Sequence, residues 1–206
     1  MTIGEMHPIS LIAVVLAGAL LAGCGESGHR AAATTTATTA TAPTGTSTGP
    51  SPLQAEAASA AAGDIPDNQV FVALRNTAAG YSIKYPEGWA QRGAGKNVTF
   101  RDKNNVVRVV IRAGGPRSAA QIRQELRGVK VQKQPEQLSL AGSQAFKVVY
   151  TTEGAPNPVT GKRVTLQVDR YYLPHGSEEA VVDLGAPVGV DNVDAYRLMI
   201  ESFKWR

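Results

Sequence analysis

A single cysteine, Cys24, stands in 206 residues, so no disulfide can form within the chain and any folded part is held together by its core. Histidine is nearly as scarce. Only His175 lies beyond residue 30, and one thiol with one imidazole leaves a zinc site without its usual nitrogen and sulfur ligands. No aromatic residue occurs before Phe71, which excludes a packed core from the first third of the chain. No uninterrupted apolar run reaches the roughly 20 residues of a bilayer span. Beyond residue 64 there is no GxSxG elbow for a serine nucleophile; the one match to that spacing, GTSTG from Gly45 to Gly49, lies in the Thr-rich segment without the strand and helix such an elbow joins.

What stands in the first third is patterned. The run LIAVVLAGALLAG, Leu11 to Gly23, is apolar throughout, has no polar helix face and has the length of a signal-peptide core. It ends on Leu21, Ala22, Gly23 and Cys24, which resemble the lipobox of bacterial lipoproteins. That resemblance implies removal of residues 1–23 and lipidation of Cys24, placing the protein on the extracytoplasmic face of a cell membrane. One feature departs from the pattern: MTIGEMHPIS carries no Lys or Arg, where a positive segment is usual. The competing reading of Cys24 is a free thiol or half of an intermolecular disulfide.

From residue 24 to residue 64 the composition is Ala, Thr, Ser, Gly and Pro, with TTTATTATAPTGTSTGPSP at its centre. Such a segment buries too little apolar surface to offset its ordering entropy, so a disordered linker is expected. Residues 65–206 then form one domain of ordinary size. Before Ile65 lie one basic residue, Arg30, and four acidic ones, Glu5, Glu26, Glu56 and Asp64, out of 21 and 17 in the chain. The domain therefore carries 20 basic against 13 acidic residues, a net charge of +7.

Within the domain, Val70–Leu74 and Tyr81–Tyr85 read as strands, and Asn97–Arg101 with Val106–Arg112 as a hairpin about the turn residues 102–105. Val107, Val109 and Ile111 share one face of its second arm, Arg108 and Arg112 the other. Ser118 caps a helix with Ala119, Ile122 and Leu126 on one stripe, and Gly128 ends it. Strands follow over 144–152, 163–173 and 179–184. Asp191 caps a last helix whose face is Val193, Tyr196 and Ile200, after which Phe203 and Trp205 fold back onto the sheet. Short connections between successive strands predict an antiparallel sheet, and helices on its faces make the fold α+β.

The stretch GYSIKYPEGW, Gly80 to Trp89, and the ending AYRLMIESFKW, Ala195 to Trp205, are similar to the PsbP-like family, which includes actinobacterial lipoproteins of the LpqN type. The resemblance implies a central antiparallel sheet flanked by helices and a role in binding or assembly, and it transfers no functional residue. From the residues themselves, Pro86 and Gly88 make a turn and Trp89 closes the core.

Chemistry is sparse. LPHGS places His175 in a turn, where it reads as a solvated residue. RGAGKN, Arg92 to Asn97, lacks the first glycine and the final Ser or Thr of a phosphate loop and reads as a turn between strands. Asp169, Asp183, Glu153, Glu178 and Glu179 are acids on neighbouring strands whose pairing a sequence does not reveal. The strongest signal is basic: Arg101, Lys103, Arg108 and Arg112 on the hairpin, with Arg123 and Arg127 on the helix and Arg117, Lys130 and Lys133 around it. They form a candidate patch for anionic head groups, wall polymers or an acidic partner, set against an ordinary solvated surface.

The expectation is a lipid-anchored envelope protein whose domain is a non-catalytic binding module for a protein or envelope component. No cofactor and no catalytic residue is expected, and an exported chain without a recognition motif is not expected to bind nucleic acid. Alternatives are a binder of a small molecule or acidic polymer, and a hydrolase.

Overall fold

The computed structural model describes residues 62–140, 142–156 and 161–206, with positions 51, 53 and 54 before them. The apolar run, Cys24 and nearly all of the Ala/Thr-rich segment lie outside the described residues. The first firm contacts are at Gly63, whose carbonyl accepts hydrogen bonds from the side-chain amides of Asn105 at 2.6 Å and Asn192 at 3.2 Å. Ile65 N–H donates to Asn192 Oδ1 at 2.8 Å. The chain thus joins the fold two residues before Ile65.

Ten strands and two α-helices follow among the described residues. The strands are β1 (Phe71–Asn76), β2 (Tyr81–Pro86), β3 (Ala90–Ala94), β4 (Asn97–Asp102), β5 (Asn105–Ala113), β6 (Lys130–Leu140), β7 (Ser143–Glu153), β8 (Thr165–His175), β9 (Glu178–Pro187) and β10 (Lys204–Trp205). Helix α1 spans Ala119–Glu125 and α2 spans Val193–Glu201. One sheet has seven strands in the order β3-β4-β5-β9-β8-β7-β6, the other three in the order β1-β2-β10. Every strand pair is antiparallel. The protein is α+β, a large antiparallel sheet with a helix on each side.

Alternation places each side chain. Val107, Val109 and Ile111 on β5 and Ala180, Val182 and Leu184 on β9 point to one face and are buried. There they meet the small sheet and α2 through Tyr81, Ile83, Tyr196, Met199, Ile200 and Phe203. Tyr85 stacks on Phe100 with ring centroids 3.9 Å apart and Tyr81 on Phe203 at 5.6 Å. Each such fully buried large side chain contributes about 1.5–3 kcal/mol. On the opposite face Ile122 and Leu126 of α1 cover Val148, Tyr172 and Val181. Trp89 is buried, as a core-closing residue should be.

Local signals act as the sequence implies. Ser118 and Gln121 form a reciprocal capping box at α1, satisfying two otherwise orphan amides, and Gly128 takes φ 82° just after the helix. Gly93 has φ 78°, and a Cβ there would collide with the Asn97 carbonyl oxygen, so RGAGKN is a hairpin that only glycine closes.

Two strands lie where the sequence predicts none. β6 contains Pro135 and a run of polar residues, and its pairing with β7 shifts register between Val131 and Lys133 and again between Lys133 and Glu136. An edge strand tolerates proline and bulges that would exclude an interior one. β3 is short, polar and fully exposed. On α2 the predicted face is corrected by one residue: Val193 is 71% exposed, and Met199 is buried beside Tyr196 and Ile200. Asn192 occupies the cap position, while Asp191 accepts from Val193 N–H at 3.3 Å one residue upstream.

Candidate functional site

The predicted basic patch divides on folding. Arg101 and Arg108 lie exposed on β4 and β5, on the side of the sheet that carries α1, and Lys103 takes the left-handed turn between the two strands at φ 50°. Arg123 and Arg127 are exposed along and just beyond α1. Arg112 is the correction: it is not a solvated cation. Its guanidinium donates to Glu179 Oε2 at 2.9 and 3.1 Å and to both Glu125 carboxylate oxygens at 3.1 and 3.2 Å. The reason is α1, which carries Glu125 over the sheet just where Arg112 emerges.

Arg117 joins the same cluster, donating to Glu179 at 2.9 Å and Glu125 at 3.0 Å. Arg170 closes it, gripping Asp183 at 2.6 and 3.0 Å and reaching Glu125 at 3.4 Å. Burial would depress the Arg170 pKa, but the Asp183 carboxylate more than offsets this, so the guanidinium is held firmly charged. Three arginines and three carboxylates neutralise one another and fasten α1 to the sheet. That is a structural role, and it removes Glu179 and Asp183 from any catalytic pairing.

The remaining candidate acids are also engaged. Glu178 pairs with Lys96 at 2.7 Å, Asp169 with Lys147 at 2.6 Å, and Glu153 accepts from the Thr165 hydroxyl at 3.0 Å. Each of the five has a different partner, so they do not form a paired-carboxylate site. Among the described residues no group of three His, Cys, Asp or Glu side chains could hold a metal ion. His175 is exposed but stacks on Trp205, ring centroids 5.1 Å apart and nearly parallel, a partner the turn reading did not foresee.

The face away from α1 carries a groove of about 700 Å³. Its floor is the sheet, with Val149 and Lys147 on β7 and Asp169 and Tyr171 on β8. One wall is α2, through Tyr196 and Ile200; the other is the bulged edge strand β6, through Leu138 and Leu140. Bulges bend and twist the strand that carries them, and α2 covers only part of the sheet, so the two elements leave a trough between them.

Charge within the groove is fixed. Lys147 Nζ sits 2.6 Å from Asp169 Oδ2 and 5.3 Å from the centroid of the Tyr171 ring. Burial alone would lower the lysine pKa; the Asp169 carboxylate and the Tyr171 hydroxyl outweigh it, and the net direction is up. Burial raises the Tyr171 phenol. Tyr196 lines the groove, is 8% exposed and has a buried hydroxyl that makes no hydrogen bond of acceptable geometry. Desolvation raises its pKa far above the ordinary phenol value, and the neighbouring Asn192 amide offsets this only in part.

The likeness to solved structures is one of chain path. No protein-family model and no curated protein matches the sequence. The chain is similar to the solution structure of cyanobacterial PsbP from Synechocystis, at 13% identity and TM-score 0.48 over 70% of this chain and 98% of that one. It is also similar to LpqN of Mycobacterium tuberculosis, described as involved in cell envelope biogenesis, at 15% identity and TM-score 0.37 over 67% and 91%. A crystal structure from Bacteroides thetaiotaomicron gives 15% identity and TM-score 0.45 over 65% of this chain. This chain spans about half the length of that last protein, 48%.

Sequence reasoning does not reach the groove, because one wall is β6, an edge strand without apolar alternation, and the other is α2, whose Tyr196 and Ile200 read as core-facing but whose position over the sheet is a tertiary fact. The alternation around Tyr150 and Val168 could have identified Lys147, Val149, Asp169 and Tyr171 as the opposite face of the same two strands. It could not have placed α2 above them.

Proposed function

We propose that the domain is a non-catalytic binding module of an envelope lipoprotein, tethered through lipid on Cys24, and that it holds part of a protein or envelope partner in the groove between α2 and β6. The observation that carries this reading is the groove's composition. Leu138, Leu140, Val149, Val190 and Ile200 supply apolar surface around the fixed Lys147–Asp169 ion pair, and Lys133, Arg197 and Glu201 add charged groups to the lining. Val193, an exposed apolar residue at the rim, adds contact area for a partner larger than the trough.

The test fills the groove from its rim. Val193→Trp with Gln167→Trp places two large rings at exposed lining positions, where the fold bears no packing cost. Crosslinked pull-down of the full chain from solubilised membranes should capture a discrete partner with the native groove and lose it with the filled one, at unchanged circular dichroism. Equal capture by both forms would put the partner elsewhere. A second reading, a small molecule held whole, rests on a volume within the about 300–1,000 Å³ of such sites. It predicts no macromolecular partner and a ligand that extracts with the native chain but not with the filled variant.

A further inference from the structure

On the side of the sheet that carries α1, the helix packs over β6, β7, β8 and β9 and reaches Arg112 at the far end of β5 through Glu125, which leaves β3, β4 and the part of β5 around Arg108 as an open shelf beside the helix. Register fixes what stands on it. Arg92 on β3 pairs with Thr99 on β4, Thr99 with Arg108 on β5, and Arg108 with Asp183 on β9. One row across the sheet therefore reads Arg92, Thr99, Arg108, Asp183. Arg101 lies two residues along β4 from Thr99, on the same side.

With neighbouring strands about 4.8 Å apart and residues about 3.4 Å apart along a strand, Arg92 and Arg108 are about 10 Å apart and Arg101 is about 8 Å from each. All three are exposed. The carboxylate in their row, Asp183, is held by both arms of the Arg170 fork. Glu179 and Glu125 on this side are held by Arg112, Arg117 and Arg170. Arg112, Arg117 and Arg170 thus hold the three carboxylates, and Arg92, Arg101 and Arg108 stand on the shelf with no carboxylate of this side, among the described residues, left to pair them.

We infer that this shelf is a second binding surface, independent of the groove, and that its ligand is a linear polyanion bearing phosphate groups. Charge complementarity selects an anion, and three arginines in place of lysines favour forked hydrogen bonding to phosphate. Shape selects a chain over a flat surface. α1 stands beside the shelf as a wall on the order of 10 Å high, one helix diameter, so a flat bilayer resting on the helix does not reach the floor, whereas a polymer lies along the step. Backbone positions about 8–10 Å apart let the three side chains reach successive charges on one strand.

The experiment uses the full chain in detergent with long-chain inorganic polyphosphate as the probe. Inorganic phosphate serves as the single-charge control, and vesicles of phosphatidylglycerol and phosphatidylcholine in equal parts as the membrane control. The triple substitution Arg92→Gln, Arg101→Gln, Arg108→Gln should weaken polyphosphate binding about 100-fold at low salt, from about fivefold per arginine. It should also flatten the dependence of log K on log salt by about two. Each single substitution, which leaves the fold least disturbed, should give about its fivefold share. Arg75→Gln with Lys84→Gln, exposed cations on the small sheet, should change little. Polyphosphate binding that survives the triple substitution, falls equally in the small-sheet control, or is absent from the native chain overturns the inference. Loss of vesicle binding alone in the triple variant also overturns it and assigns the shelf to a membrane.

Discussion

Glu179 is 1% exposed, and one of its carboxylate oxygens takes three N–H donors: Arg112 Nε and Nη2 at 3.1 and 2.9 Å and Arg117 Nε at 2.9 Å. Its other oxygen is buried with no partner. Replacing it by alanine leaves two guanidinium groups facing a vacated site. Breaking a buried ion pair from one side costs about 3–5 kcal/mol. Here the arginines are 27% and 30% exposed and keep Glu125 at 3.1 and 3.0 Å, so water and the second acid moderate the loss. Glu179→Ala should therefore cost about 3 kcal/mol, a fall of about 10 °C in Tm for a domain of this size.

Denaturant and thermal unfolding of the full chain, followed by Trp89 and Trp205 fluorescence, reads this directly, since both tryptophans of the chain lie in the domain. Glu125→Ala alone should cost less, because its carboxylate is about a quarter exposed. The double substitution should cost more than the two singles together by at least about 0.5 kcal/mol, because Arg112 and Arg117 then lose both partners. A Glu179→Ala change within about 0.5 kcal/mol of the native chain, or strict additivity with Glu125→Ala, would refute the ionic clamp between α1 and the sheet.

Further outcomes follow from the same structure. Burial raises the Tyr150 phenol to about 12. Its folded pKa lies above the unfolded value of about 10, so stability is steady below pH 10 and falls as pH rises from 10 towards 12; absorbance at the tyrosinate band should rise together with unfolding, and a folded chain fully ionised at about pH 11 would contradict this. Gly93→Ala forces a Cβ against the Asn97 carbonyl and should destabilise the β3–β4 hairpin by more than about 1 kcal/mol, seen as faster amide exchange in β3; unchanged exchange would argue against the tight turn. Cys24→Ala should move the protein from the membrane to the soluble fraction or block its processing, whereas unchanged fractionation and mass would remove the lipid anchor.

Much of the fold was legible where physics is local. Alternation identified β2, β5, β7 and β8, the turn residues 102–105 placed β4 beside β5, a short apolar run identified β9, which is buried on both faces, and the Ser118 cap with Gly128 bounded α1 because helix ends need partners for orphan amides. β6 and β3 were illegible because an edge strand is stabilised by its neighbour's hydrogen bonds and needs no apolar alternation of its own. The basic patch was half legible: composition revealed the arginines, but only pairing revealed that Arg112 meets Glu179 and Glu125, that Arg170 takes Asp183, and that Arg92 stands in line with Arg108. The groove was hidden for the same reason, since its walls, β6 and α2, are far apart in the chain and meet only through the sheet.

Occupancy of the trough between α2 and β6 by a partner is read by placing a photo-crosslinking residue at Val193 in the full chain and irradiating intact cells. Thr77, exposed in the turn between β1 and β2, is the control position. Position 193 should give one discrete adduct, suppressed by Gln167→Trp, and position 77 none. Adducts of equal yield and identity from both positions, or none from 193 while the chain still co-purifies with a partner, would contradict it.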